Sequence, residues 1–458
     1  MKHHLIFITV LFSICQCLIG DSFANSYIPK HSNNSPNPIP RISDRDFKDL
    51  FMDAQDLFNY EYYNDALYIF KKLLAVDFNN CNLNFYVGVC ILNSKQQRIK
   101  AIDYLKKAIL KTDVAYGYTY KETSAPVFAY LYLGQAYHLN GQYDEALINF
   151  EKFKLYLTNK NKDGDFMDEV DHCMEMTELA KKLTANPIKV TIVPFKASNS
   201  IFSEQSMVVS KDSTKYYFSS KRKGAMGGQK DVNGEYFDDI YFTQFKDNKW
   251  IKPKKMGSKM NSVNSDILNC ISPDGKQLYF SRMIRGTYDI FVSTLSKKNK
   301  WQTPQKIGIN INSKNNDMWA YITADGNTLL FSSDRQGGYG GYDIYMSEKL
   351  TTGEWGKPLN LGSEVNTEFD EISPVLMPDG TLYFSSNGKG SMGGYDIFET
   401  VISENGLWSQ PENMGYPLNT AFDDYNFTPL TSDGKRGFYT SAKTGGYGET
   451  DIYSFTIE

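Results

Sequence analysis

Histidine is scarce in this chain: 458 residues hold 5 of them. His3, His4, His31, His138 and His172 all precede residue 187, so the longer C-terminal part has none. A Ser-His-Asp triad or a histidine-rich metal site built there is excluded. The 6 cysteines include no C-x-x-C pair, which removes a zinc ribbon, and they are too few for a disulfide framework. Basic residues are not in excess: Lys+Arg 49 against Asp+Glu 53 leaves a net charge of −4. A general nucleic-acid binder, which needs a basic face, is thereby disfavoured. After residue 24 no run is long and apolar enough to span a bilayer. Tryptophan is also rare (5), yet Tyr 32 and Phe 29 bring aromatics to 14%, and 41% of the chain is hydrophobic. That is enough apolar material for real cores.

Residues 1–24 read as a secretory signal. Lys2 precedes the apolar run Leu5–Ile19, and Ser22-Phe23-Ala24 offers small residues at a cleavage site before Asn25. Cys15 and Cys17 lie in the run; lipid attachment there is the alternative to plain cleavage, disfavoured by Ile14 and Gln16 before them. Residues 25–42 form a polar, proline-punctuated linker. Export permits disulfides, and Cys81 and Cys90 are close enough in sequence to pair. Buried free thiols are the plainer reading of these two and of Cys173 and Cys270.

From Ser43 to Pro187 the apolar spacing is helical. Leu57, Tyr63, Ala66 and Phe70 follow Ala54, and the pattern returns as Tyr130, Leu133, Gly134, Tyr137, Tyr143, Ala146 and Phe150. Small residues let paired helices touch while aromatics fill the gap. These residues resemble the tetratricopeptide repeat, with Tyr130 where the family often has Trp. A weaker middle copy carries Gly88, Ile91, Ala101 and Leu105, with 13 rather than 12 residues from Gly to Ala. Thr112–Ala125 is foreign to the pattern, and Asp165–Leu183 reads as a closing helix. Three repeats and a cap satisfy the minimum of such a stack. The resemblance implies that the first helix of each repeat lines a concave face, where Gln55, Asn59, Asn93, Gln135 and His138 would meet an extended peptide backbone. Plain solvent exposure is the competing reading of these polar side chains.

Residues 188–458 switch to a period of two. Four markers then recur in phase. Asp-Ile followed by an aromatic begins at Asp239, Asp289, Asp343, Asp396 and Asp451. Asp-Gly turns begin at Asp274, Asp325, Asp379 and Asp433. Trp-x-x-Pro begins at Trp250, Trp301, Trp355 and Trp408. Asn261, Asn312, Asn366 and Asn419 are each followed five residues later by a carboxylate. Each unit reads as four short strands, the signature of a β-propeller. The last unit lacks an edge strand, and Val190–Phe195 lacks a hairpin partner, so the N-terminal strand should complete the C-terminal blade. The count is five blades; six would need a unit that the sequence does not show.

Ser272-Pro273-Asp274-Gly275-Lys276 and Met377-Pro378-Asp379-Gly380-Thr381, each followed by Leu-Tyr-Phe-Ser, resemble the PD40 repeat of TolB-like periplasmic propellers. Gly393-Gly394-Tyr395-Asp396-Ile397-Phe398 is similar to the subgroup fused to tetratricopeptide repeats in gram-negative envelope proteins, which includes the PorE-like component of type IX secretion. That resemblance implies a non-enzymatic scaffold or adaptor, exported to the periplasm or associated peripherally with the outer membrane. Its partners would be other envelope proteins of an outer-membrane or secretion complex. Relatives commonly carry an OmpA-like domain as well; the resemblance stops at the last blade, so peptidoglycan binding is unsupported. A glycan- or peptide-binding propeller is the alternative. Neither catalytic residue, metal nor cofactor is expected.

Two features break the repeat. Lys221–Asp238 is an 18-residue connection where the third unit has nine, and Lys221, Arg222 and Lys223 make it a candidate partner-binding loop beside the bland reading of a solvated insertion. Trp319 alone stands outside the Trp-x-x-Pro series, as core or as anchor. The recurring aspartates at 239, 289, 343, 396 and 451 should accept backbone hydrogen bonds from their preceding turns. A ring of bound cations is the sharper alternative, without a D-x-D-x-D-G loop to support it.

Overall fold

The computed structural model describes residues 43–94, 98–157, 160–231 and 233–458. The expected signal segment, the linker, Cys15 and Cys17 lie outside the described residues. Two compact units divide the chain, with the division inside its longest helix.

The first unit is built from antiparallel helix pairs. They are α1 (Asp44–Asn59) with α2 (Tyr63–Leu74), α3 (Cys81–Asn93) with α4 (Ala101–Ala108), and α5 (Phe128–Leu139) with α6 (Tyr143–Lys154); α7 (Lys160–Ala185) follows. Ser43 caps α1, its hydroxyl accepting from the Asp46 N–H at 3.1 Å. The pairs approach closely because a side chain is missing at the crossing. A Cβ on Gly134 would sit 2.5 Å from the Phe150 ring, and one on Gly88 would meet Leu105 at 2.7 Å. The middle copy therefore packs like the outer ones despite its extra residue. Tyr86 stacks on Phe70 at 4.5 Å and receives the edges of Phe51 and Phe58, which ties the first pair to the second. Each such ring pair adds roughly 0.5–1.5 kcal/mol beyond the area it buries. Among the described residues no helix is long and apolar enough to cross a membrane. Cys81, Cys90, Cys173 and Cys270 are all free and buried.

The second unit is a five-bladed β-propeller. The innermost strands are Glu204–Val209, Asp266–Ile271, Asp317–Ile322, Glu371–Leu376 and Asp424–Pro429. They are neighbours around a closed ring, the fifth beside the first. An Asp-Gly turn joins each of the last four to a second strand, and Gly-rich or shorter connections lead to the third. In blade 3, Thr328–Ser333 pairs with Asp343–Glu348, and the outer strand Leu359–Asn360 pairs with the latter. Pro358 falls just before that outer strand, where its missing N–H costs nothing. Trp301, Trp355 and Trp408 bridge back to Leu295, Lys349 and Ile402, and Trp250 pairs with Phe245, so each Trp closes the last turn of its blade. Blade 5 takes its outer strand from the other end of the unit: Val190–Pro194 lies antiparallel to Asp451–Ile457, as the unmatched strand predicts.

The repeated Asn explains how blades are locked. In the connection to the next blade it folds back on the third strand just completed. Its amide imitates a strand residue, accepting the N–H and donating to the C=O of the Ile in Asp-Ile. Asn419 does so with Ile397 at 2.8 Å both ways and also donates to Asn413. Asn261, Asn312 and Asn366 repeat the pairing with Ile240, Ile290 and Ile344. Asn199 makes the fifth pairing with Ile452, across 253 residues. Asn419→Ala leaves the buried N–H of Ile397 unpaired, while its C=O keeps the Met414 N–H at 3.1 Å, so it should lower unfolding free energy by about 1–3 kcal/mol. The midpoint of urea denaturation measures this, with the exposed Lys298→Ala as an unaffected control.

Candidate functional site

The Asp-Ile aspartates face inward to their own blades. Asp239, Asp343, Asp396 and Asp451 accept the N–H of Met226, Tyr339, Met392 and Tyr447 at 2.7, 2.7, 2.6 and 2.5 Å. Asp289 departs from the expectation: its blade has a two-residue turn in place of the Gly-rich one, and the carboxylate pairs with Lys306 at 2.6 Å. Asn360 and Asn413 also donate to Asp343 and Asp396 from the outer strand. Among the described residues no group of three or more His, Cys, Asp or Glu side chains is placed to hold a metal ion.

A second carboxylate heads every innermost strand: Glu204, Asp266, Asp317, Glu371 and Asp424, each without exposed surface. All five accept a backbone N–H four residues upstream, at Ser200, Ser262, Ser313, Thr367 and Thr420. In blades 1–3 an arginine neutralises the charge: Arg222–Glu204 at 2.8 Å, Arg282–Asp266 at 2.5 Å and Arg335–Asp317 at 2.6 Å. Each guanidinium also lies between two rings, for example Phe331 and Tyr345, both 4.9 Å away, and bonds a carbonyl of the approaching chain, such as Ile311 at 2.6 Å. Blade 5 places Lys443 over Tyr453 at 3.8 Å; burial lowers its ammonium to about 8. Blade 4 has Gly388 at this place, with Phe369 against it, and no cation. Burial accordingly pushes Glu371 up to about 7, against the pull of the Thr367 and Ser386 hydroxyls. The signal for this clamp was present in the sequence as a basic residue one or two places after the Ser that ends the second strand.

The long connection of blade 1 departs from expectation. Lys221 is paired with Asp231 at 2.7 Å and Glu235 at 3.6 Å, and Arg222 is the blade's clamp. Both charges are spent inside the unit and do not form a basic docking patch; Lys223 is the exposed one of the three.

The propeller's centre holds a cavity of about 190 Å³ to which every blade contributes. Each innermost strand bulges against its neighbour. In four blades the bulge puts a non-glycine residue at positive φ: Ser206 (59°), Trp319 (50°), Ser373 (55°) and Asn426 (53°), all lining the cavity. The wall is polar on one side, where Ser373 donates to Asn426 at 2.7 Å and Asn426 donates to Ser206 at 2.9 Å. Opposite chemistry comes from Trp319, buried with its ring edge-on to Tyr342 at 5.2 Å. Trp319 thus belongs to the cavity wall.

Of the five polar residues expected on the concave face of the helical repeats, two are buried and so cannot meet a peptide there. Gln135 and His138 are buried against α7: Gln135 approaches Cys173, and His138 Nδ1 lies 2.9 Å from the Thr177 hydroxyl. Asn93 turns back on its own helix, donating to the Val89 carbonyl at 2.9 Å. Gln55 donates to the Tyr86 hydroxyl at 2.8 Å and to the backbone carbonyl of Tyr118 at 3.3 Å. Asn59 remains exposed. The foreign stretch 112–125 thus lies where a peptide was expected.

Comparison with known proteins gives fold-level likeness. No family model and no curated sequence matches the chain. TolB from Acinetobacter baumannii is similar at 17% identity and TM-score 0.35, over 57% of this chain and 56% of that one. Putative TolB from Agrobacterium tumefaciens matches at 17% identity and TM-score 0.35, over 57% of this chain and 81% of that one. The Yersinia enterocolitica type III secretion chaperone SycD, solved with a peptide of the translocator YopD, matches at 17% identity and TM-score 0.25, over 31% and 98%.

Glu371 gives a pH test. Its folded pKa lies above the unfolded value near 4.5, so the folded chain retains a proton that the unfolded chain releases between pH 4.5 and about 7. Its contribution to stability is full below 4.5, falls as pH rises through that window, and is flat above it. Glu371→Gln removes this term. The variant's unfolding free energy relative to the parent should rise from pH 4.5 to 7 by up to about 1.4 kcal/mol per unit, read by urea denaturation at each pH.

Proposed function

We propose that this chain is a non-enzymatic interaction protein, an exported scaffold or adaptor of the bacterial envelope whose partners are other envelope proteins. The observation that carries this reading is the fate of the propeller's charged side chains. The carboxylates that recur blade after blade are tied to turns, arginines or the next blade. Chemistry of that kind holds a ring together and leaves surface and shape for recognition. The resemblance to PD40 propellers fused to helical repeats supports the envelope assignment and, at finer grain, a place beside an outer-membrane or secretion complex like that of the PorE-like component. Peripheral association fits this reading, and peptidoglycan anchoring has no support.

Photo-crosslinking in intact cells tests it. Crosslinks to envelope proteins, recovered with the chain and identified by mass spectrometry, are the expected result. Recovery of only cell-wall fragments or small glycans would replace the scaffold reading with a second one, a ligand-binding propeller. The central cavity favours that second reading, because Trp319 and a hydrogen-bonded Ser-Asn-Ser edge are both part of its wall, the mixed lining that sugar and peptide ligands need.

A further inference from the structure

The segment 112–125 touches α1 and α3 through contacts of the kind a bound peptide makes. It is closed at its base, where Ala125 N–H donates to the Lys111 carbonyl at 2.8 Å and Thr112-Asp113 pairs in parallel with Ala125-Pro126. Cys81 N–H at the start of α3 adds a bond to the Thr123 carbonyl. These ties hold the ends independently of the tip. The tip reaches the first helices of two successive repeats. Tyr116 donates its hydroxyl to Asn82 Oδ1 on α3, and the Tyr118 carbonyl accepts from Gln55 on α1. One contact reads a side chain and the other reads the backbone, the division of labour by which grooves recognise extended peptides.

Two observations show that the segment is an incomplete occupant. Asn82 is 1% exposed, yet only half its amide is used: Nδ2 is buried with no hydrogen-bond partner among the described residues. Leaving such a donor unpaired costs about 1–3 kcal/mol. Tyr118, at the tip, is held at φ 54°, a conformation that non-glycine residues rarely take. A ligand with an extended backbone and an acceptor for Asn82 Nδ2 would avoid both costs.

We infer that the face formed by α1 and α3 is a recognition surface for an extended protein segment bearing a Tyr-x-Tyr pattern, and that Tyr116-Gly117-Tyr118 occupies it as an intramolecular stand-in. This rests on the interaction reading above and names the partner's chemistry. Binding in trans requires the tip to swing out on its tied ends, with the six helices of the repeats kept in place. Affinity is then set by competition with a tethered segment, whose effective concentration is of order millimolar.

The probe is a fluorescein-labelled synthetic peptide of residues 112–124, titrated into the full chain by anisotropy up to millimolar concentrations. Replacing residues 114–122 by a Gly-Ser linker of equal length should strengthen binding at least about tenfold over the intact chain. Adding Gln55→Ala or Asn82→Ala to that variant should remove the gain, and a peptide with Phe in place of Tyr at position 116 should bind it more weakly. A replaced chain with the parent's circular dichroism and melting that gains no binding overturns the proposal. Should the replacement fail to fold, Tyr116→Ala/Tyr118→Ala in the full chain serves instead, and equal binding to variant and parent overturns it likewise. Either negative leaves the crosslinks to envelope proteins untouched, so the two readings fail separately.

Discussion

The propeller depends on one pairing repeated five times: an asparagine amide that takes the place of a strand residue against the blade just finished. It fixes the connection between blades at both an N–H and a C=O, which a single hydrogen bond cannot do. It also places the next carboxylate five residues later, at the head of the following innermost strand. From there the arginine clamps, the capped N–H groups upstream and the bulges around the cavity all take their positions. Because each pairing joins two blades, the ring behaves as a chain of nearest-neighbour locks, and Asn199 with Ile452 closes it.

Much of this was legible in the sequence. Four markers in phase predict the blade number, and the unmatched strand Val190–Phe195 predicts the closure between blade 5 and the start of the unit. The helix pairs follow from Gly134 and Phe150 spaced as in a known repeat. Spacing works for the blades and the helix pairs because each depends on residues close in the chain, and the distant closure follows from a strand left without a neighbour. The functional surfaces were less legible, since they depend on what a distant segment covers. Gln135 and His138 look polar and available until α7 lies on them, and Lys221 looks basic until Asp231 and Glu235 fold back to it. Arg222 looks like a docking charge in the sequence because its counterpart, Glu204, lies a full hairpin before it. Trp319 gave no periodic cue at all: its place in the cavity follows from a bulge, which is a backbone event.

The asymmetries carry more information than the repeats. Blade 4 lacks a cation between its rings, blade 5 substitutes a lysine, and blade 3 brings the one tryptophan that lines the cavity. These departures break a frame that is otherwise nearly five-fold. In the helical repeats residues 112–125 are the corresponding departure, an irregular stretch that reaches α1 and α3.

The strand exchange at the ring's seam has a temporal side. Val193 pairs with Ser454, 261 positions later. At synthesis rates of roughly 5–20 residues per second, the early strand waits on the order of 10–50 s for its neighbour to exist. Four blades can form as they emerge, but the circle cannot shut until the chain's final segment is released. Until then what has emerged is an open string of hairpins, with an unpaired strand edge at its start.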